Sequence, residues 1–519
     1  MLPLQSTEPM SHLFEVMERA AECWPNRTAL VQNERIFTYR DLRNAVEEIA
    51  TALTEYNIKP GEKVGIVFPR SIEYVLACFA VLKAGAIAVP ISAAHKAPEI
   101  AAAASMVDID AFCCQQSLFP TLSNIAGAAP DLRRVPGYPE FAIVRVANAS
   151  KNADKRARLL TAHTAYICFS SGTTSASKGI VLSHEALLER ADRRTDTPRI
   201  SQENCILWLR ALDRFVPNQF IAAFMAGAKV IIGNSLNMGI LPDLIGQHRA
   251  DQVWAVPSFY RALLQDSVPA SDYAPVSHFL SSGAPVSLNL AQDFYNKFGH
   301  EIMQNYGSAE CSPIFINSGT DPAKRGSVGI PVAGREVRLR PLDAIASESA
   351  FEGELLVRGM GMLTAYYNPW RSPGEFLEDG WLPTGDIARR DEDGFYWIVG
   401  RIKEVINVGG TKVFASEIED ILSKHPLVED CVVFPARDPR FGEVPHAKVK
   451  LRDPVASAEN ALLGYANERL SVFKSLRRLE IVDQIEKTVT GKPKRWLYRT
   501  IAILVSVAQS LFAEIPQFF

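Results

Sequence analysis

Tyr166-Ile167-Cys168-Phe169-Ser170-Ser171-Gly172-Thr173-Thr174-Ser175-Ala176-Ser177-Lys178-Gly179 runs from an apolar stretch into small hydroxyl residues and closes on Lys-Gly. The first four residues read as a strand and the remainder as a loop. Backbone N–H groups, several hydroxyls and one cation in so short a span are what a polyphosphate requires. A solvated Ser/Thr loop fits the same residues. The segment is not a Walker-type loop, because Ser177 precedes Lys178 where that pattern has Gly, and Gly179 follows where it has Ser or Thr.

Outward from this stretch, helical and strand patterns alternate. Residues 10–23 carry apolar side chains at helical spacing, 28–32 read as a strand, and 38–56 as a helix after a Thr38 cap. Residues 63–68 form an apolar run suited to a buried strand, 71–82 a helix that ends before Gly85, and 86–91 a strand again. The strand signal recurs at 229–232 and 252–256. The expected fold class is therefore α/β: a large N-terminal domain of layered sheets and helices over residues 1–400, its parallel sheet covered by helices. Composition changes at Asp391-Glu392-Asp393-Gly394. A strand at 395–399, a helix at 413–425, strands at 427–435 and 447–451 and a helix at 458–470 suffice for a small α+β C-terminal domain over 401–500. Residues 501–519 form an apolar tail whose run 501–512 is shorter than the ~20 residues a membrane-spanning helix needs. It reads as a helix packed on its own domain, with a partner-docking or membrane-surface helix as the alternative.

The 519 residues give a prior of three to four domains or subdomains. An apolar fraction of 47%, a charged fraction of 22% and a net charge of −3 exclude a disordered chain and argue against nucleic acid as the main partner. Cys23, Cys78, Cys113, Cys114, Cys168, Cys205, Cys311 and Cys431 are scattered without a C-x-x-C pair, so they read as buried free thiols. The N-terminus lacks the pattern of a secretory signal, and a cytoplasmic enzyme is expected.

Four more segments narrow the reading: Gln304-Asn305-Tyr306-Gly307-Ser308-Ala309-Glu310, Trp381-Leu382-Pro383-Thr384-Gly385-Asp386, Gly400-Arg401-Ile402-Lys403-Glu404 and Lys487-Thr488-Val489-Thr490-Gly491-Lys492. With Phe37-Thr38-Tyr39-Arg40-Asp41-Leu42, Leu82-Lys83-Ala84-Gly85-Ala86, Ser282-Gly283-Ala284-Pro285, Gly326-Ser327-Val328-Gly329 and Gly353-Glu354-Leu355, they are collinear over residues 10–500. In order and spacing the chain resembles the adenylate-forming superfamily of acyl-CoA synthetases, peptide-synthetase adenylation domains and luciferases.

The resemblance implies an ATP-dependent carboxylic acid ligase whose small domain is mobile. Ser170, Ser171, Gly172, Thr173, Thr174 and Lys178 match the loop that holds the β and γ phosphates of ATP. Ser282, Gly283, Ala284 and Pro285, with Asn305, Tyr306, Gly307 and Ser308, match the adenine side of the site. Glu310 matches a ligand of Mg²⁺, Asp386 the acid that binds both ribose hydroxyls, and Arg401 a further ribose or phosphate contact. Lys492 matches the catalytic lysine of the C-terminal domain, and Lys403 the hinge about which that domain turns. Departures from the family pattern stand at Ser175, Ser177, Ala309, Glu486 and Pro493, none of which removes a charged catalytic group.

Ile406-Asn407-Val408-Gly409-Gly410-Thr411-Lys412-Val413 with Glu417-Ile418-Glu419 resembles the acyl- and aryl-CoA synthetases, which implies CoA as the acceptor. Pro313-Ile314-Phe315-Ile316-Asn317-Ser318 resembles benzoate-type CoA ligases, which points to a carbocyclic or aromatic acid within the expected range of aryl, alicyclic or acyl substrates activated as acyl-AMP with pyrophosphate release. Asp213 falls near the acid that pairs with the amine in amino-acid-activating domains, and a salt bridge to Arg210 or Arg214 is its other reading. Phe215, Phe220, Ile221 and Phe224 carry helical apolar spacing, so they line an acid pocket or pack the core. Trp208, residues 256–260, Ala284 and Cys311 are further pocket candidates. An amino acid, as in coronafacate-ligase-type amide formation, or a separate carrier protein remains the alternative acceptor.

Overall fold

The computed structural model describes residues 9–127, 133–147, 153–169, 178–192, 199–212, 220–234, 238–266, 268–319, 321–342, 351–455, 457–487, 493–495 and 497–498. Among them the strands form sheets of nine, eight, four and five members. In the nine-stranded sheet Thr28–Gln32, Lys229–Ile232, Cys205–Trp208, Gln252–Ala255, His278–Ser282 and Ile302–Tyr306 run parallel. The eight-stranded sheet is built around parallel Lys63–Val67, Ile87–Pro90 and Ala111–Gln115. Parallel strands must be covered on both faces, and Lys63–Val67 is buried throughout.

Local signals set the helices as expected. Thr38 caps Tyr39–Glu55, its hydroxyl accepting from Asp41 N–H at 3.1 Å while Thr38 N–H donates back to Asp41 at 2.9 Å. Ser71 caps Ile72–Lys83, whose residues 72–82 are all buried, so apolar side chains surround it rather than forming a stripe.

Arg335–Arg340, Glu352–Gly359, Leu382–Arg390 and Tyr396–Arg401 form a four-stranded antiparallel sheet, which the alternating pattern upstream does not announce. After Arg401 the turn Ile402–Glu404 leads to Ile406–Val408, the first strand of the five-stranded sheet, and residues between 406 and 479 share a separate hydrophobic core. The helix expected over 413–425 is shorter, Ala415–Ser423, because Thr411–Val413 pairs back on Ile406–Val408 through Gly409 and Gly410 at φ 57° and 91°. All eight cysteines are free, and Cys23 is exposed and Cys168 half-buried, against the expectation that all were buried. No helix among the described residues is long and apolar enough to cross a membrane, and the tail 501–519 lies outside them.

The segment Gly326-Ser327-Val328-Gly329 joins the nine-stranded and four-stranded sheets. Val328 N–H donates to Tyr396 O at 2.8 Å, Tyr396 N–H to Gly329 O at 2.9 Å, and the Ser327 hydroxyl to Tyr396 O at 2.8 Å. Phe315 stacks on Tyr396 at 4.6 Å. Gly329 has φ 97°, and a Cβ there would lie 1.9 Å from Ile316 O. Gly329→Ala is expected to lower stability by about 2–3 kcal/mol, measured as the shift in denaturant midpoint at constant slope; an unshifted midpoint contradicts the close approach.

Candidate active site

The site gathers at the carboxyl ends of parallel strands, where open α/β sheets bind ligands. His278–Ser282 and Ile302–Tyr306 are neighbours, with Ser282 opposite Asn305. Gly283 turns the chain at φ 90°, Ala284 is half-buried and Pro285 exposed. Gln304 braces this end, accepting from Val286 N–H at 3.2 Å and donating to Ser327 O at 3.1 Å. Ser282 is 7% exposed, and its buried hydroxyl has no hydrogen-bond partner among the described residues, an orphaned polar atom of the kind a bound ligand satisfies. Gly307 passes so close to Ser312 that a Cβ would lie 2.8 Å from its hydroxyl oxygen.

Asp386 sits in Leu382–Arg390 directly opposite Arg401, and is 4% exposed. Arg401 Nε reaches its Oδ1 at 2.6 Å, and the Tyr306 hydroxyl donates to Oδ2. One carboxylate thus links the two sheets. Burial, with Asp386 next to it, holds the Tyr306 phenol well above its ordinary value, so it stays a donor. The charge of Asp386 raises Arg401 in turn. Since a carboxylate has about four acceptor positions, Asp386 retains capacity for ligand hydroxyls.

Glu310 follows Ile302–Tyr306 in a short turn fixed by its backbone. Arg190, on the helix His184–Ala191, donates to Ala309 O at 3.1 Å, Glu310 O at 2.8 Å and Gly361 O at 2.7 Å. Leu363 N–H adds a bond to Glu310 O at 2.7 Å. Burial, helped by Arg335, pulls the Arg190 guanidinium down to about 10, still charged at neutral pH. The Glu310 carboxylate lies 3.4 Å from the Tyr366 hydroxyl, and Lys178 Nζ stands 4.7 Å from the centre of the same ring. A single carboxylate beside a cation suits a hard cation carried largely by phosphate oxygens. Among the described residues no three His, Cys, Asp or Glu side chains gather as a metal site. Glu310 therefore fits as a ligand of Mg²⁺ borne by the nucleotide, and not as part of an all-protein cage.

The remaining expected residues divide. Ser170, Ser171, Gly172, Thr173, Thr174, Asp213, Phe215 and Lys492 lie outside the described residues, although the strands flanking 170–178 pair, with Phe169 opposite Gly179. Residues 487 and 493, on either side of 488–492, form an antiparallel bridge. Phe220 is fully buried edge-on against Trp208 at 4.6 Å, and Trp208 lies 5.5 Å from Trp254. Of residues 256–260, Phe259 and Tyr260 are buried in a core cluster. Cys311 is fully buried among core residues, its thiol raised by burial, with the Ser308 hydroxyl 3.4 Å from its sulfur. Lys403 is exposed in the turn Ile402–Glu404. Arg190 and Tyr366 were not singled out from sequence, because their partners are more than a hundred and more than fifty residues away.

Residues 17–367 match the AMP-binding enzyme family and residues 417–492 the AMP-binding enzyme C-terminal domain. The chain belongs to the AMP-binding enzyme family, within the adenylate-forming superfamily, and is an AMP-forming acid ligase. It is 28% identical over 482 residues to a feruloyl-CoA synthase of Amycolatopsis sp, covering 91% of this chain and 96% of that protein. An anthranilate CoA ligase solved with anthranoyl-AMP superposes with TM-score 0.81 at 25% identity, over 96% of this chain and 99% of that one. An amide bond synthetase from Marinactinospora thermotolerans shares the fold at TM-score 0.81 and 23% identity, over 94% and 99%.

Asp386→Asn keeps the shape and removes the charge that Arg401 and Tyr306 face. The expected result is an ATP dissociation constant raised about tenfold or more, read by calorimetry with Mg²⁺ present; an unaltered constant removes Asp386 from the nucleotide site.

Proposed function

We propose that the chain joins an aromatic carboxylic acid to the thiol of CoA through an acyl-adenylate. The observation that carries this reading is the convergence of Asp386, Arg401 and Tyr306 on one side and Glu310 with Lys178 on the other, at the ends of Ile302–Tyr306 and its neighbours. Feruloyl and anthraniloyl, the groups named for two similar ligases, are aromatic acyl groups.

In the first step a carboxylate oxygen attacks the α-phosphorus of ATP and the bond to pyrophosphate breaks. Both reactants are anionic, so positioned cations decide the barrier. Bound Mg²⁺ supplies charge neutralisation at the phosphate oxygens. Asp386 fixes the ribose through hydrogen bonds, Lys178 faces the leaving pyrophosphate, and Lys492 brings its ammonium to the reacting phosphate. Loss of one such donor costs about 3–4 kcal/mol, or roughly 10²–10³ in rate. In the second step the CoA thiol, losing its proton to solvent, attacks the acyl carbon and the carbon–oxygen bond to AMP breaks. Turning of the small domain about Lys403 withdraws Lys492 between the two steps.

Pyrophosphate release with Mg·ATP and a panel of aryl, alicyclic, fatty and amino acids is expected to be fastest with an aryl acid and to yield a thioester when CoA is present. An amide formed without CoA, when amino acids are supplied, assigns an amine acceptor instead, and loading of an added carrier protein assigns that. Lys492→Ala is expected to abolish acid-dependent pyrophosphate release while ATP binding stays within about tenfold; unchanged release overturns the role of Lys492.

A further inference from the structure

Tyr366 stands between the two charged groups that face the phosphates, and its own position is fixed from several directions. It belongs to the two-residue strand Ala365–Tyr366, where it pairs with Ile180 of Gly179–Ser183, the strand that starts next to Lys178. On its other side it exchanges two backbone hydrogen bonds of 3.0 Å with Arg371. Tyr366 is 8% exposed, and its ring packs edge-on against Phe376 at 5.0 Å. With backbone and ring held, the hydroxyl can reach only where the strand directs it, towards Glu310 Oε1 at 3.4 Å. The face of the same ring lies under the Lys178 ammonium at 4.7 Å.

We infer that Tyr366 is a positioning residue with two separable actions: its hydroxyl orients the Glu310 carboxylate for the nucleotide-borne metal, and its ring face holds the Lys178 ammonium at the phosphate side. The inference rests on the ATP-site reading above. The Glu310 backbone is already held by Arg190 and Leu363, so the turn keeps its place without Tyr366. What the hydroxyl adds is the direction of the carboxylate, for which it is the hydrogen-bond partner among the described residues. The ring acts differently, because a cation over an aromatic face is attracted whether or not the hydroxyl is present.

The two actions predict different responses to metal. Tyr366→Phe keeps the ring, its packing on Phe376 and its face towards Lys178, and removes only the hydroxyl. ATP affinity should fall about fivefold to tenfold with Mg²⁺ and stay unchanged in EDTA. Tyr366→Leu removes the face as well, so affinity should fall in both conditions. Calorimetric ATP titrations of wild type and both variants, with Mg²⁺ and with EDTA, read this without any acid substrate. In pyrophosphate release, Tyr366→Phe should raise the KM for Mg·ATP more than it lowers kcat. Equal affinity losses with and without Mg²⁺ for Tyr366→Phe, or none in either, overturn the hydroxyl role. A Tyr366→Leu variant that melts like wild type yet binds ATP normally in EDTA overturns the ring role. If wild type itself fails to bind Mg·ATP, the ATP-site reading falls and this assignment with it.

Discussion

The buried carboxylate of Asp386 is the point on which the architecture of the site turns. At 4% exposure a carboxylate needs hydrogen-bond partners, and those of Asp386 come from different places: Arg401 from the adjacent strand and Tyr306 from another sheet. Breaking a buried pair by removing one member costs about 3–5 kcal/mol when both sides are dry. Here the Arg401 side chain is 40% exposed, so solvent screening reduces that figure. The pairing therefore contributes less as a source of stability than as a constraint on geometry. It sets the end of Ile302–Tyr306 against Leu382–Arg390 around a buried carboxylate.

The second constraint is the bookkeeping of backbone carbonyls at turns. Residues 309, 310 and 361 belong to turns whose carbonyls would be orphaned if buried alone. A single guanidinium, Arg190, donates to all three, which is what its rigid fork of donors permits. The helix bearing Arg190 starts where Gly179–Ser183 ends, with Ser183 as its cap. Lys178 and Glu310 are thus connected through one strand, one helix and one arginine. Because these elements are packed and hydrogen-bonded, the backbones of Lys178 and Glu310 keep a fixed relation, and in the proposed function this preorganises the two charges for phosphoryl chemistry.

Much of this was legible in the sequence because it rests on local signals. Thr28–Gln32, Lys229–Ile232 and Gln252–Ala255 appear where apolar runs announced them, and Thr38 and Ser71 cap the helices they precede. The order of the motifs carried the family. The motifs did not reveal their mechanical reasons. Gly353 admits no side chain because a Cβ would lie 2.3 Å from Arg340 O in the paired strand, and Ser327 ties two sheets at Tyr396. Arg190 and Tyr366 were illegible because nothing near them in sequence records a contact made across the fold. The helix read from residue 413 started too early, since Val413 satisfies its backbone in a Gly-Gly hairpin before the helix starts.

The segment between the two halves limits where a rotation can occur. Arg401 is held by Asp386 of the large domain, and Glu404, three residues on, pairs at 2.9 Å with Arg495, which also binds Glu419. Glu404 is therefore tied to the small domain, and Arg401 to the large one. A rotation that spares both pairings has to take place in residues 402 and 403, where Lys403 is exposed and no ion pair is recorded among the described residues. Across the boundary Arg261 pairs with Asp430 at 3.2 Å, Arg452 pairs with Asp293 at 3.5 Å, and the Ser416 hydroxyl donates to Val399 O. The Arg452–Asp293 pair, with both side chains nearly half exposed, is worth about 1 kcal/mol or less. For the proposed turning of the small domain, the pivot therefore falls between the Arg401 pairing on one side and the Glu404 pairing with Arg495 on the other.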